Sequence, residues 1–184
     1  FCQNWDISQI TKDLKNRLLR EKKTADIDVE ISKFGYELPP EKIVEICMEK
    51  NIPGIAYTYN EPSIFFEYAY DTAKLAGKKG IKNVFVTNGY ETEEALKLLK
   101  PYLDGMNIDL KSFNDEFYKK ICKARLQPVL DTIKLAYKLG IWIEITTLII
   151  PGKNDSDEEL KKIADFISNI GKNIPWHVTA FHPD

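Results

Sequence analysis

The chain has 184 residues, enough for one domain around a single core, and its 43% hydrophobic and 29% charged content is ordinary for a globular protein. A formal net charge of −2 excludes a broad basic surface for nucleic acid, and no apolar run approaches membrane-spanning length. The three cysteines, Cys2, Cys47 and Cys122, form no spaced pair, so neither a disulfide framework nor a zinc site is expected.

In chain order, ITKDLKNRLLREKK (10–23) predicts a helix whose basic residues form a solvated face, and PPEKIVEICMEKN (39–51) a second helix led in by two prolines. From about residue 53 strands and helices alternate. GIAYTYN (54–60) is a β-branched and aromatic run, and PSIFFEYAYDTAKLAGKKG (62–80) a helix opening on Pro62 and stopping at Gly80. KNVFVTNG (82–89), GMNIDLKS (105–112), IWIEITTLII (141–150) and WHVTAFHP (176–183) are the following strands. Helices are expected at 92–103, 114–122, 128–139 and 156–171, the last opening on Ser156 with Glu159 three residues on, a capping-box pattern. Such alternation predicts an α/β fold with a parallel sheet, curling toward a partial (β/α)6-type TIM-like barrel. No repeat or low-complexity linker divides it, so residues 1–184 are read as one domain.

In a parallel barrel the lumen side of each strand is normally apolar. Here Met106, Ile108 and Leu110 share one face of their strand, and Asn107, Asp109 and Lys111 the other. Ile141, Ile143 and Ile145 oppose Glu144 and Thr146 in the same way. The apolar sets belong under the helices, which turns the polar sets inward, at several kcal/mol unless they are paired or used. Val178, Ala180 and His182 share a face, which places His182 at a strand's carboxyl end. Asn60-Glu61 and Thr87-Asn88 also close strands, and carboxyl ends are where such sheets build their sites. Buried structural ion pairs are the competing reading of Asp109, Lys111 and Glu144. Cys47, on an apolar helix face, and Cys122, at a helix end, read as small buried hydrophobes. Cys2, followed by Gln, Asn, Trp and Asp, has no such core to enter.

FCQNWDISQ (1–9), AYTYNEP (56–62), NIDLKSF (107–113), ARLQPVLDTI (124–133) and LIIPGKND (148–155) together resemble the radical S-adenosylmethionine (SAM) superfamily. More narrowly they resemble its AmmeMemoRadiSam-system enzymes, relatives of the pyruvate formate-lyase activating enzymes. The match covers 1–9 and about 53–184, and is loose over 10–52. The resemblance implies a [4Fe–4S] cluster held by a C-x3-C-x2-C loop, with Cys2 as its third ligand and the other two ligands outside this chain. A longer protein is therefore expected, with the first strand before Phe1 and an extension after Asp184. The resemblance further implies that Asn60 and Glu61 stand where the superfamily often has Gly-Gly-Glu-Pro, receiving the SAM amino group. Thr87 and Asn88 would lie beside SAM, Asp109 and Lys111 would fall on the activase-type Asp-Leu-Lys motif near its carboxylate, Ile150 would border the adenine, and His182 would face the ribose. Glu144 joins this cofactor-facing set as an inward polar residue. Val86 stands where the activases tend to carry Asp, so a monovalent cation of their kind is not implied.

The activity so implied is reductive cleavage of SAM to a 5′-deoxyadenosyl radical that takes hydrogen from a substrate not specified by the sequence. A flavodoxin- or ferredoxin-type electron donor and a substrate that could itself be a protein are the implied partners, with no nucleic acid and no membrane. No charged-then-apolar leader is written in these residues, so the cytoplasm is the expected compartment. Three alternatives stay open: an activase acting on a glycyl-radical enzyme, an aldolase-like barrel using Lys111 as a Schiff-base amine, and a binding module without a cluster.

Overall fold

A computed structural model describes residues 5–21, 27–33 and 35–182. Cys2, the expected metal ligand, lies outside them. Helices α1 (Trp5–Arg20), α2 (Ile27–Ser32) and α3 (Pro40–Glu49) precede the first strand. Alternation then begins with β1 (Gly54–Tyr57), a 3-10 turn (Pro62–Phe65), α4 (Phe66–Gly77), β2 (Lys82–Thr87) and α5 (Glu93–Leu99). It continues through β3 (Gly105–Asp109), α6 (Asp115–Phe117), a π turn (Tyr118–Cys122), α7 (Leu126–Lys138), β4 (Trp142–Ile149), α8 (Asp157–Ile170) and β5 (Trp176–Ala180).

All five strands are parallel, in the spatial order β1-β2-β3-β4-β5. Right-handed crossovers between successive neighbours bring every intervening helix to the same side of the sheet. That side is the core. Phe85, Met106, Ile108, Leu110, Ile143 and Ile145 meet Ala69 and Ala73 of α4, Leu96 and Leu99 of α5, Val129 and Ile133 of α7, and Ile163 and Ile167 of α8, all buried. Each large aliphatic side chain so buried contributes about 1.5–3 kcal/mol. A smaller cluster joins Val44 and Cys47 of α3 to Ala76 and Ile81. In α1, Leu14 and Leu18 are buried four residues apart, while the lysines and arginines between and beyond them are exposed. Among the described residues no helix is long and apolar enough to cross a membrane.

Four local expectations change. The helix foreseen at 62–80 starts as a 3-10 turn, because the Glu61 carboxylate accepts from Ser63 N at 3.2 Å and tightens the first turn. The stretch 114–122 is a short α-helix continued by a π turn, ended by Lys123 at φ 57°. Cys122, expected buried, is exposed at that end, whereas Cys47 is buried as expected. Only half of the capping box at α8 forms: Ser156 Oγ accepts from Glu159 N at 3.2 Å, but the Glu159 side chain turns away to Ser112 and Phe113.

Candidate functional site

The sheet side away from the helices carries the polar groups. Register aligns Val86, Asn107 and Glu144 across β2, β3 and β4, and Asp109, Thr146 and His177 across β3, β4 and β5. Side chains of register partners point to the same side, so these residues form two rows on one face. Thr146 Oγ1 donates to Asn107 Oδ1 at 2.9 Å. Glu144 pairs with His177 Nε2 at 2.8 Å and accepts from the Trp142 indole at 3.3 Å. First the His177 contact and then the indole hold the Glu144 carboxyl below the ordinary carboxylate range. Asp109 Oδ2 and Lys111 Nζ stand 2.6 Å apart with side chains 28% and 35% exposed, reachable by solvent and by a ligand.

At the carboxyl ends of the strands a denser network ties the loops together. Glu61, following β1, accepts from Thr87 Oγ1 at 2.7 Å and from Asn88 N at 2.7 Å. Thr87 ends β2, and Gly89 follows it at φ 73°. A Cβ on Gly89 would lie 2.7 Å from Ile108 Cγ2, so the turn can approach the core only without a side chain. Glu91 reaches back to the same place, its Oε1 lying 2.8 Å from Ser63 Oγ and 3.2 Å from Thr87 Oγ1. Burial raises the Glu91 carboxyl above its ordinary value, opposed by the Ser63 hydrogen bond and reinforced by the Glu61 charge.

Past β3, Lys111 is anchored through its backbone. Its N–H donates to Tyr118 Oη at 3.0 Å, and its carbonyl accepts from Asn154 Nδ2 at 2.7 Å. Burial raises the Tyr118 hydroxyl well above its ordinary value, so it stays neutral. Asn154 is itself buried, donates also to Leu148 O at 2.9 Å, and accepts from Ile150 N at 2.7 Å. The ends of β3 and β4 are thereby clamped by one amide.

The structure thus brings together Glu61, Thr87 and Asn88, and separately Asp109 and Lys111. Glu144 lies deeper along β4, paired with His177. Asn60 is exposed beside Glu61, Ile150 is half-buried at the end of β4, and His182 is exposed two residues beyond β5. Val178 and Ala180 register with Thr147 and Ile149, the side that holds Thr147 buried, which leaves His177 and Thr179 on the polar face. In an edge strand of mixed polarity, alternation by itself cannot tell which face turns inward. His177, Ser63, Glu91, Tyr118 and Asn154 were not found from sequence. Asn154 had a signal, its place in LIIPGKND; the others make their contacts across long sequence separations that no local pattern records.

The polar face offers both signs of charge and amide groups, a donor set suited to a zwitterionic ligand. Among the described residues no three His, Cys, Asp or Glu side chains stand together to hold a metal. A hollow of about 470 Å³ beside Asp115, Arg125, Leu126, Gln127 and Pro128 lies away from this face, at the start of α7. Its Asp115 is already committed to Lys119 and to Leu126 N.

The family model described as the Radical SAM superfamily matches residues 1–167. Protein MJ0808 of Methanocaldococcus jannaschii is 46% identical over 185 residues, covering 100% of this chain and 49% of that protein. The pyruvate formate-lyase-activating enzyme of Clostridium pasteurianum is 27% identical over 142 residues, covering 74% of this chain and 59% of that one. Among solved structures, Streptococcus suis SuiB bound to S-adenosylmethionine superposes with a TM-score of 0.65 at 14% identity, over 79% of this chain and 34% of that chain. This chain spans about half the length of the first of these relatives and about three-fifths of the second.

Proposed function

Because the chain belongs to the radical SAM superfamily, we propose that its polar sheet face holds SAM as the wall of a partial (β/α)6-type barrel, within one core domain. The observation that carries this reading is the separation of faces. Met106, Ile108 and Ile145 are fully buried under the helices, while Asp109 and Lys111 pair on the opposite face and Glu61 meets Asn88 at the carboxyl ends of β1 and β2. A methionine moiety carries an ammonium and a carboxylate, and this face offers carboxylates for the first and a lysine for the second.

In this reading Asn60 and Glu61 receive the ammonium, with Thr87 and Asn88 holding the Glu61 carboxylate in place by their donors at 2.7 Å each. Lys111 meets the carboxylate, and Asp109 orients its amine. Glu144 keeps the deeper face polar and Ile150 borders the adenine, while His182, two residues past the end of β5 and no longer bound by that strand's alternation, faces the ribose. Cys2 supplies one thiolate to a [4Fe–4S] cluster. When bound, such a cluster supplies the electron for reductive cleavage of SAM, the opening of hydrogen abstraction from a substrate. The residues of this chain bind, orient and exclude water around that chemistry.

The test is anaerobic iron–sulfur reconstitution of the whole protein, followed by reduction in the presence of SAM and measurement of 5′-deoxyadenosine. Product is expected from the wild type and none from Cys2→Ala; wild-type turnover by Cys2→Ala would overturn the assignment of that thiolate. The likeness to an activating enzyme of Clostridium pasteurianum supports a second, narrower reading, in which the substrate is the backbone glycine of a partner enzyme. A glycyl-radical signal by spin resonance after incubation with such a partner distinguishes it. A flavodoxin- or ferredoxin-type donor and a cytoplasmic setting complete the proposal. The Schiff-base alternative is disfavoured because the Lys111 amine is engaged by Asp109 at 2.6 Å.

A further inference from the structure

Two hydroxyls and two carboxylates meet where the β1 and β2 ends join. Ser63 Oγ lies 2.9 Å from Glu61 Oε1 and 2.8 Å from Glu91 Oε1. Thr87 Oγ1 lies 2.7 Å from Glu61 Oε1 and 3.2 Å from Glu91 Oε1, while accepting from Gly89 N at 3.1 Å. Each hydroxyl has one proton to donate, and an ionised carboxylate has none. With both acids ionised, four close oxygen contacts would share two protons, and two of them would set lone pair against lone pair. One added proton resolves the arrangement. Placed on Glu91 Oε1, it lets Glu91 donate to Ser63, Ser63 donate to Glu61, and Thr87 donate to Glu61. The contact left without a proton is then Thr87 to Glu91, the longest of the four.

The proton belongs to Glu91 rather than Glu61 for a reason of partners. Glu61 also accepts the backbone N–H groups of Ser63 and Asn88, which favour its anion. Among the described residues the Glu91 carboxyl has two hydroxyl partners, Ser63 and Thr87, and its burial with a neighbouring carboxylate favours the neutral acid. The groups facing it are Glu61 and Ser63 from the loop after β1, Thr87 from β2, and Thr132 of α7, whose hydroxyl donates to the Glu91 carbonyl at 3.3 Å. Glu61 is the charged one among them.

We propose that Glu91 is a positioning residue that carries a proton shared through Ser63 with Glu61, so that the four side chains act as one singly charged unit at the head of the site. Resting on the function proposed above, this unit also couples ligand and proton. An ammonium group arriving at Glu61 favours ionisation of Glu91, so binding releases a proton and tightens as pH rises through the Glu91 value. For each unit by which the ligand lowers that value, affinity gains about tenfold.

Difference infrared spectroscopy of the whole protein across a pH titration tests the shared proton directly. A protonated-carboxyl stretch is expected at pH values where exposed carboxyls are already ionised, and Glu91→Gln should remove it. Ser63→Ala, which leaves both acids in place, should shift the band without abolishing it, and serves if the first variant folds poorly. Absence of the band, or a band indifferent to both substitutions, overturns the proposal. With SAM as the probe, affinity should rise with pH in the wild type and stay flat in Glu91→Gln. If SAM binds neither protein while the band is present, the ligand assignment fails and the shared proton stands.

Discussion

The side-chain amide of Asn154 donates to the backbone carbonyl of Lys111 at 2.7 Å, across 43 residues of sequence. The same side chain holds Leu148 O and Ile150 N, so one buried residue sets the spacing of two strand ends. On one of those ends sits the lysine whose amine pairs with Asp109.

Replacing Asn154 with Ala strands three backbone groups in a buried place. At about 1–3 kcal/mol for each unsatisfied group, partly relieved by entering water, a loss of about 3 kcal/mol is expected. Asn154→Asp should be no better, since a carboxylate oxygen would face two carbonyls. Urea unfolding midpoints measure both, and a change under 1 kcal/mol in either would contradict the clamp.

Two glycines with nearly equal φ should respond differently to alanine. Gly80 at φ 75° has nothing within 4 Å of an added Cβ, so Gly80→Ala costs only the left-handed conformation, about 1 kcal/mol. Gly89→Ala adds contacts of 2.7 Å to Ile108 and 3.1 Å to Val129 and should cost roughly 1–3 kcal/mol more. Thermal denaturation of the two variants side by side checks the order.

The Glu144–His177 contact predicts a pH signature with a definite sign. Glu144 is lowered in the folded protein, first by His177, so it contributes stability above its unfolded value of about 4.5 and loses it as pH falls through the folded value. His177→Ala should therefore destabilise the protein near neutral pH, and the gap from wild type should close in acid. A gap that is constant or widens on acidification would count against the pairing.

Asp109 and Lys111 are proposed to act on a ligand rather than on folding. Both side chains are about a third exposed, and exposed ion pairs contribute little to stability. Lys111→Met should thus change unfolding by less than about 1 kcal/mol, yet weaken SAM binding by roughly tenfold or more, the loss of one charge-assisted contact. Equal effects on both would mean the pair is structural.

Much of this molecule is legible from local pattern. The alternation of Met106, Ile108 and Leu110 with Asn107, Asp109 and Lys111 already separates a buried face from a polar one, because strand side chains alternate with period two. Runs of strand and helix formers, punctuated by Gly80 and Gly140, dictate the parallel α/β architecture, and the quoted motifs point to the family. Tertiary structure decides what depends on contact across the sheet. Register puts His177 beside Glu144, the β2 turn carries Glu91 back to Ser63, and the loop after β4 brings Asn154 under Lys111. Hydrogen bonds of this kind join residues 28 to 43 positions apart. Their partners are selected by the packing of whole elements, which no local periodicity in the chain encodes.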